Sequence, residues 1–164
     1  MPEVWMRGPV TDVPALLQPV AHVLLQAQEE IQALVSGFQD ELLWQQPAGV
    51  ASVGFHLQHI TGVLDRMYTY AAGQALSEAQ LAYLSAEGKP AGDLISLLTA
   101  FDTRVQTFVD QLKNIDESSL TAARTVGRKQ LPTTLIGLLF HAAEHTMRHT
   151  GQLHVTVRVI QHLF

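Results

Sequence analysis

The chain has no cysteine among its 164 residues, which excludes a disulfide framework, a thiolate metal site and a cysteine nucleophile of its own. Any thiol chemistry would have to draw on an outside thiol. Basic residues are also scarce: 10 Lys and Arg stand against 15 Asp and Glu, for a formal net charge of -5. No cationic surplus is left to neutralise phosphates, so the sequence argues against a nucleic-acid binder. Missing too is an uncharged apolar run of about 18 residues, the length that suggests a membrane span. Residues Met1 to Thr11 hold Glu3, Arg7, Gly8 and two prolines in place of a basic start and an apolar core. No signal peptide is expected, and the expected location is cytoplasmic.

What is present points to one helical domain over residues 1–164. The hydrophobic content of 47% suffices for a substantial core. Four stretches carry helical periodicity, and none shows sustained two-residue alternation or an Asn-Gly turn, so the fold class is all-α. The first helix is expected over about 14–37, where Leu16, Val20, Val23, Leu24, Ala27, Ile31, Leu34 and Val35 recur at three- and four-residue intervals. Pro14 suits a first helical position, whereas Pro19 demands a kink or a restart.

After the break at Gln45 to Gly49, a second helix is expected over 51–72, closed by Gly73. Ser77, Glu78 and Leu81 suggest a short connecting helix. A third long helix over 93–113 carries Leu94, Leu98, Phe101, Val105, Phe108 and Leu112 at alternating spacings of four and three, a bundle seam. The polar stretch 114–131 reads as a loop over the bundle, and Pro132 as the opening of a last helix over 132–162.

Histidine placement carries the chemistry. In a helix, His145 and His149 lie about 40° apart around the axis and about 6 Å apart along it, so they share a face. Leu138, Ala142, Gln152, Leu153, Thr156 and Ile160 fall on the same side, which places both imidazoles in the stripe expected to face the interior. Two buried imidazoles one turn apart are costly unless partnered, and a divalent cation serves both nitrogens at once. The spacing is that of a helical metal-ligand pair, but Thr146 follows the first histidine where zinc proteases carry Glu, which argues against a protease of that type.

A third ligand can come from the second helix, which offers His56 and His59. His59 is in register with Ser52, Val63, Arg66 and Tyr70, while His56 lies about 60° round toward the edge of that stripe. His59 is therefore the preferred ligand and His56 a candidate outer-shell donor that orients a ligand or substrate. His141, one turn before His145, is an alternative ligand or a surface residue. His22, His154 and His162 read as structural or solvated. Arg66 can hold an anion or form an edge salt bridge, Glu144 reads as a surface carboxylate, and Trp5, Trp44 and Phe164 as ordinary packing or a cover for the site.

At these residues the sequence resembles the DinB/YfiT-like superfamily. The resemblance is carried by Gly54-Phe55-His56-Leu57-Gln58-His59-Ile60 and by His145-Thr146-Met147-Arg148-His149-Thr150-Gly151-Gln152. It implies an up-down-down-up four-helix bundle with a long crossover and a metal site at His59, His145 and His149. It further implies zinc, nickel or a similar divalent ion, and a homodimer. The family's common His-His-Arg-Gly-Gln wording stands here as Arg148-His149-Thr150-Gly151-Gln152, so two non-ligand positions, Arg148 and Thr150, depart from it. Relatives that use small cellular thiols make transfer involving a low-molecular-weight thiol the first expectation for activity. A non-catalytic metal-binding or stress-associated interaction protein is the alternative, since fold kinship does not fix a substrate.

Overall fold

The protein is described by a computed structural model covering residues 1–164. Its helices are α1 (Gln18–Leu34), α2 (Val53–Ala71), α3 (Glu78–Ala86), α4 (Leu94–Leu112) and α5 (Leu135–Leu163), joined by short 3₁₀ turns and one hairpin, β1 (Ala123–Val126) and β2 (Leu131–Thr134). Each long helix buries one apolar face. The main packing pairs are α2 with α5 and with α4, and α1 with α5 and with α4, so α1 and α2 lie across the bundle from one another. The side chains they enclose form one core cluster that runs from Val13 to Ile160 and includes Leu24, Ile31, Leu57, Ile60, Leu64, Phe101, Phe108, Leu139, Leu153 and Val157. No helix is long and apolar enough to cross a membrane.

Local chemistry accounts for the helix starts. A 3₁₀ turn at Ala15–Leu17 precedes α1, and Pro19 falls in the first turn of α1, where its missing N–H has no intrahelical partner to lose. The proline thus marks a restart rather than a kink, and Leu16 ahead of it is exposed instead of joining the apolar stripe. Ser52 caps α2 by accepting the Phe55 N–H, Ser77 and Gln80 form a capping box on α3, and Asp93 and Ser96 form one on α4. These side chains satisfy N–H groups that the first helical turn leaves open.

Two expectations need correction. The all-α reading misses the hairpin: within the stretch taken as a loop, Ala123 pairs with Thr134 and Val126 with Leu131 in antiparallel register. Pro132 lies in β2, opposite Thr125, and does not open the last helix. In a two-stranded ribbon both strands are edges, and an edge tolerates a residue with no N–H to donate. The last helix begins three residues later, at Leu135, capped by Thr134.

Candidate metal centre

The α2–α5 contact brings together the three predicted ligands. One ring nitrogen from each of His59, His145 and His149 lies within 4.8 Å of the others, a cluster that can hold a metal ion. Nε2 of His59 is 2.9 Å from Nε2 of His145, and the ring centroids of His145 and His149 are 4.5 Å apart. Two nitrogens each about 2.1 Å from a common tetrahedral zinc ion stand about 3.4 Å apart. The His59–His145 separation lies about half an ångström inside that spacing, and imidazole nitrogens are a donor set suited to zinc, nickel or copper.

The second nitrogen of each ring shows how the rings are held. Nδ1 of His59 lies 2.7 Å from Oε2 of Glu87. The other carboxylate oxygen of Glu87 accepts from Arg66 at 2.6 Å. A carboxylate engaged by a guanidinium is an acceptor, so His59 Nδ1 donates, and Nε2 is the nitrogen of that ring left to bind an ion. Phe55 stacks on the same ring, with centroids 5.2 Å apart and planes 10° from parallel. His149 is held differently: its Nδ1 meets Nδ1 of His56 at 3.0 Å, which leaves Nε2 of His149 unengaged. Nδ1 of His145 is buried with no partner, so no protein group holds that ring from its outer side.

Electrostatics favour neutral rings. Burial pushes His56, His145 and His149 down to about 4, and repulsion from neighbouring histidines adds to the shift in each case. All three are therefore uncharged near neutral pH, the form that presents lone pairs. The three cluster residues are each partly accessible, so the centre opens toward solvent and is not sealed in the core.

His56 is not at the edge of a stripe. It is only 3% exposed and more buried than His59, because α2 is covered by α5, α4 and α3 and a helix packed on several sides has little free edge. Arg66 is likewise buried, and its ion pair with Glu87 lies inside the protein and not at a bundle edge. Gln152 is exposed, so it leaves the interior stripe of α5 to Leu138, Ala142, Leu153, Thr156 and Ile160. His141 stays outside the ligand cluster, with Nδ1 2.9 Å from Oε1 of Glu144. Burial acts to raise the Glu144 carboxyl, but the hydrogen bonds from Arg148 and His141 outweigh it and hold the group below its usual range. Trp44 lies flat over Gly54, where a Cβ would collide with its ring, while Trp5 and Phe164 are exposed. His154 and His162 are exposed, and His22 reaches only the Gly8 carbonyl.

Glu87 is the residue that the sequence did not offer. It sits 28 positions from His59, just beyond the end of α3, and no periodic pattern connects it to the histidines. Structure supplies the connection. Gln58, one residue before His59, accepts the Gly88 N–H at 2.8 Å and donates to the Lys89 carbonyl at 3.3 Å, which clamps the turn after Glu87 onto α2.

Helices that gather three imidazoles around a common point, with the outer nitrogen of one ring held by a carboxylate, define a helical candidate metalloprotein. The chain belongs to the DinB superfamily, whose profile matches residues 24–153 and so takes in all three histidines. Its fold is similar to the crystal structure of a conserved protein from Enterococcus faecalis, with a TM-score of 0.72 and 18% identity over 88% of this chain and 96% of that one. None of the curated proteins matches the chain.

Proposed function

We propose that the protein binds one divalent metal ion through Nε2 of His59, His145 and His149 and acts as a metal-dependent enzyme. Transfer involving a small external thiol is the first reaction to assign to it. The observation that carries the reading is the 2.9 Å approach of the His59 and His145 Nε2 atoms, with the outer nitrogen of His59 taken up by Glu87. A divalent ion held by three neutral imidazoles supplies Lewis acidity that lowers the pKa of a water or thiol bound to it. The chain's own residues supply the rest. His59, His145 and His149 present their ring nitrogens to a common point, Phe55 fixes the plane of His59, and the partial exposure of the cluster admits a small molecule. A chain without cysteine needs its sulfur nucleophile from outside, which supports a thiol as partner. The reading also takes the four long helices as an up-down-down-up bundle, with residues 72–93 as the crossover.

Metal content of untagged protein, measured by mass spectrometry on wild type and on His59→Ala, His145→Ala and His149→Ala, tests the ligand set. About one ion per chain in wild type and a loss in each variant is the expected result. Retention in any of the three removes that residue from the set, and no ion in wild type removes the metal. Thiol-transfer turnover that is indifferent to both chelation and His59→Ala would sink the catalytic part alone.

A further inference from the structure

The buried Arg66–Glu87 pair does more than join α2 to the end of α3. In Glu87 the two carboxylate oxygens have separate tasks: Oε1 accepts from Arg66 at 2.6 Å, and Oε2 faces His59 Nδ1 at 2.7 Å. Both charged side chains are nearly out of solvent, at 7% exposure for Arg66 and 6% for Glu87. Taking two charges out of water is expensive, and exchanging such a pair for apolar residues is often neutral or stabilising. Stability alone therefore gives this pair little reason to exist.

The surroundings are built for it. At Gly62, one turn after Gln58 and one turn before Arg66, a Cβ would collide with Glu87 Oε1, with the Arg66 guanidinium and with the Tyr83 ring. The helix surface is thus bare where the pair passes. Gln58 holds the turn at Gly88 and Lys89 from one side, and Tyr83 donates its hydroxyl to the Gln58 carbonyl. Glu87 is consequently fixed in position before any ion arrives, and one of its oxygens is aimed at a ring nitrogen of a proposed ligand.

We propose that Glu87, locked by Arg66, is a positioning residue for the metal centre: it fixes His59 as the Nδ1–H tautomer with its Nε2 lone pair directed at His145 and His149. The inference rests on the metal-binding reading above. Its physical basis is that a carboxylate on the outer nitrogen sets the tautomer and orientation of a ligating imidazole and raises its basicity. Gln58, Gly62 and Tyr83 act through Glu87 and touch no ion.

The test is zinc affinity by competition with a chromophoric chelator, on untagged wild type, Glu87→Gln, and the double variant Arg66→Met with Glu87→Gln, each also melted in chelator. Glu87→Gln is expected to weaken zinc binding roughly 10- to 100-fold. The double variant, which no longer buries an unpaired guanidinium, is expected to recover the melting temperature of the metal-free protein while keeping the weakened affinity. A merely structural role predicts the reverse coupling, with affinity returning as stability returns, and that result overturns the proposal. Wild-type affinity in Glu87→Gln overturns it as well and leaves the three-histidine site standing. Failure of wild type itself to bind zinc overturns both.

Discussion

Two carboxylates in this protein each bridge an arginine and a histidine, and they differ in what surrounds them. Glu144 joins Arg148 and His141 on the outer side of α5, with Arg148 about half exposed, where such pairs contribute about 0–1 kcal/mol. Glu87 joins Arg66 and His59 in the interior, where removing one partner leaves a charge stranded at a cost of about 3–5 kcal/mol. The same three residue types thus give a surface contact in one place and a positioning device in the other. Burial also governs the titration of the site. His56, His145 and His149 have folded pKa values of about 4, below the 6.5 they regain on unfolding, so the unfolded chain takes up protons first. The stability this represents is complete above about pH 6.5 and is lost as pH falls toward 4. In chelator, the melting temperature is expected to drop between pH 6.5 and 5, above the range where most carboxylates titrate. The His56→Gln variant should show a shallower drop. A flat profile across that window would mean that the rings are not buried neutral in solution.

At the scale of elements, the long helices were legible in the sequence because each buries a periodic stripe: on α4 Leu94, Phe101, Val105, Phe108 and Leu112 are buried as the seam requires, while Leu98 is only half-buried and Leu97 beside it is the buried residue. Three of the site's histidines were legible for the same reason, since helical spacing places His145 beside His149 and register selects His59. The hairpin was not legible. Its strands have four residues each, neither contains a fully buried residue, and β2 holds a proline, so the signal that marks a half-buried strand is absent. Glu87 was illegible for a different reason: its partner is set by how α3 docks on α2, which no local pattern encodes. The hairpin leads directly into α5 through Thr134, which ends β2 and accepts the Gly137 N–H at 3.1 Å as the helix cap. Thr134→Ala is expected to lower unfolding free energy by about 1 kcal/mol and Thr134→Ser to restore most of it, as read from urea denaturation. Equal stability of all three proteins would show that the ribbon alone sets the helix start.

Across the whole molecule, the proposed ion would fasten α2 to α5, elements separated by 86 residues between His59 and His145. An ion that binds only the folded chain stabilises it by about 2.7 kcal/mol when its free concentration is 100-fold above Kd. Wild-type protein is accordingly expected to melt several degrees higher with zinc than with chelator, and His59→Ala to melt at one temperature in both. A zinc-dependent shift that persists in His59→Ala would place the stabilising ion somewhere other than this cluster.

The missing side chain at Gly62 has a consequence for how such a chain can change over time. Glycine within a helix costs about 1 kcal/mol relative to alanine, so drift would tend to fill the position, yet a single methyl group there collides with both members of the Arg66–Glu87 pair. A lineage that gains a side chain at position 62 must therefore push the ends of Arg66 and Glu87 aside, and the carboxylate that faces His59 moves with them.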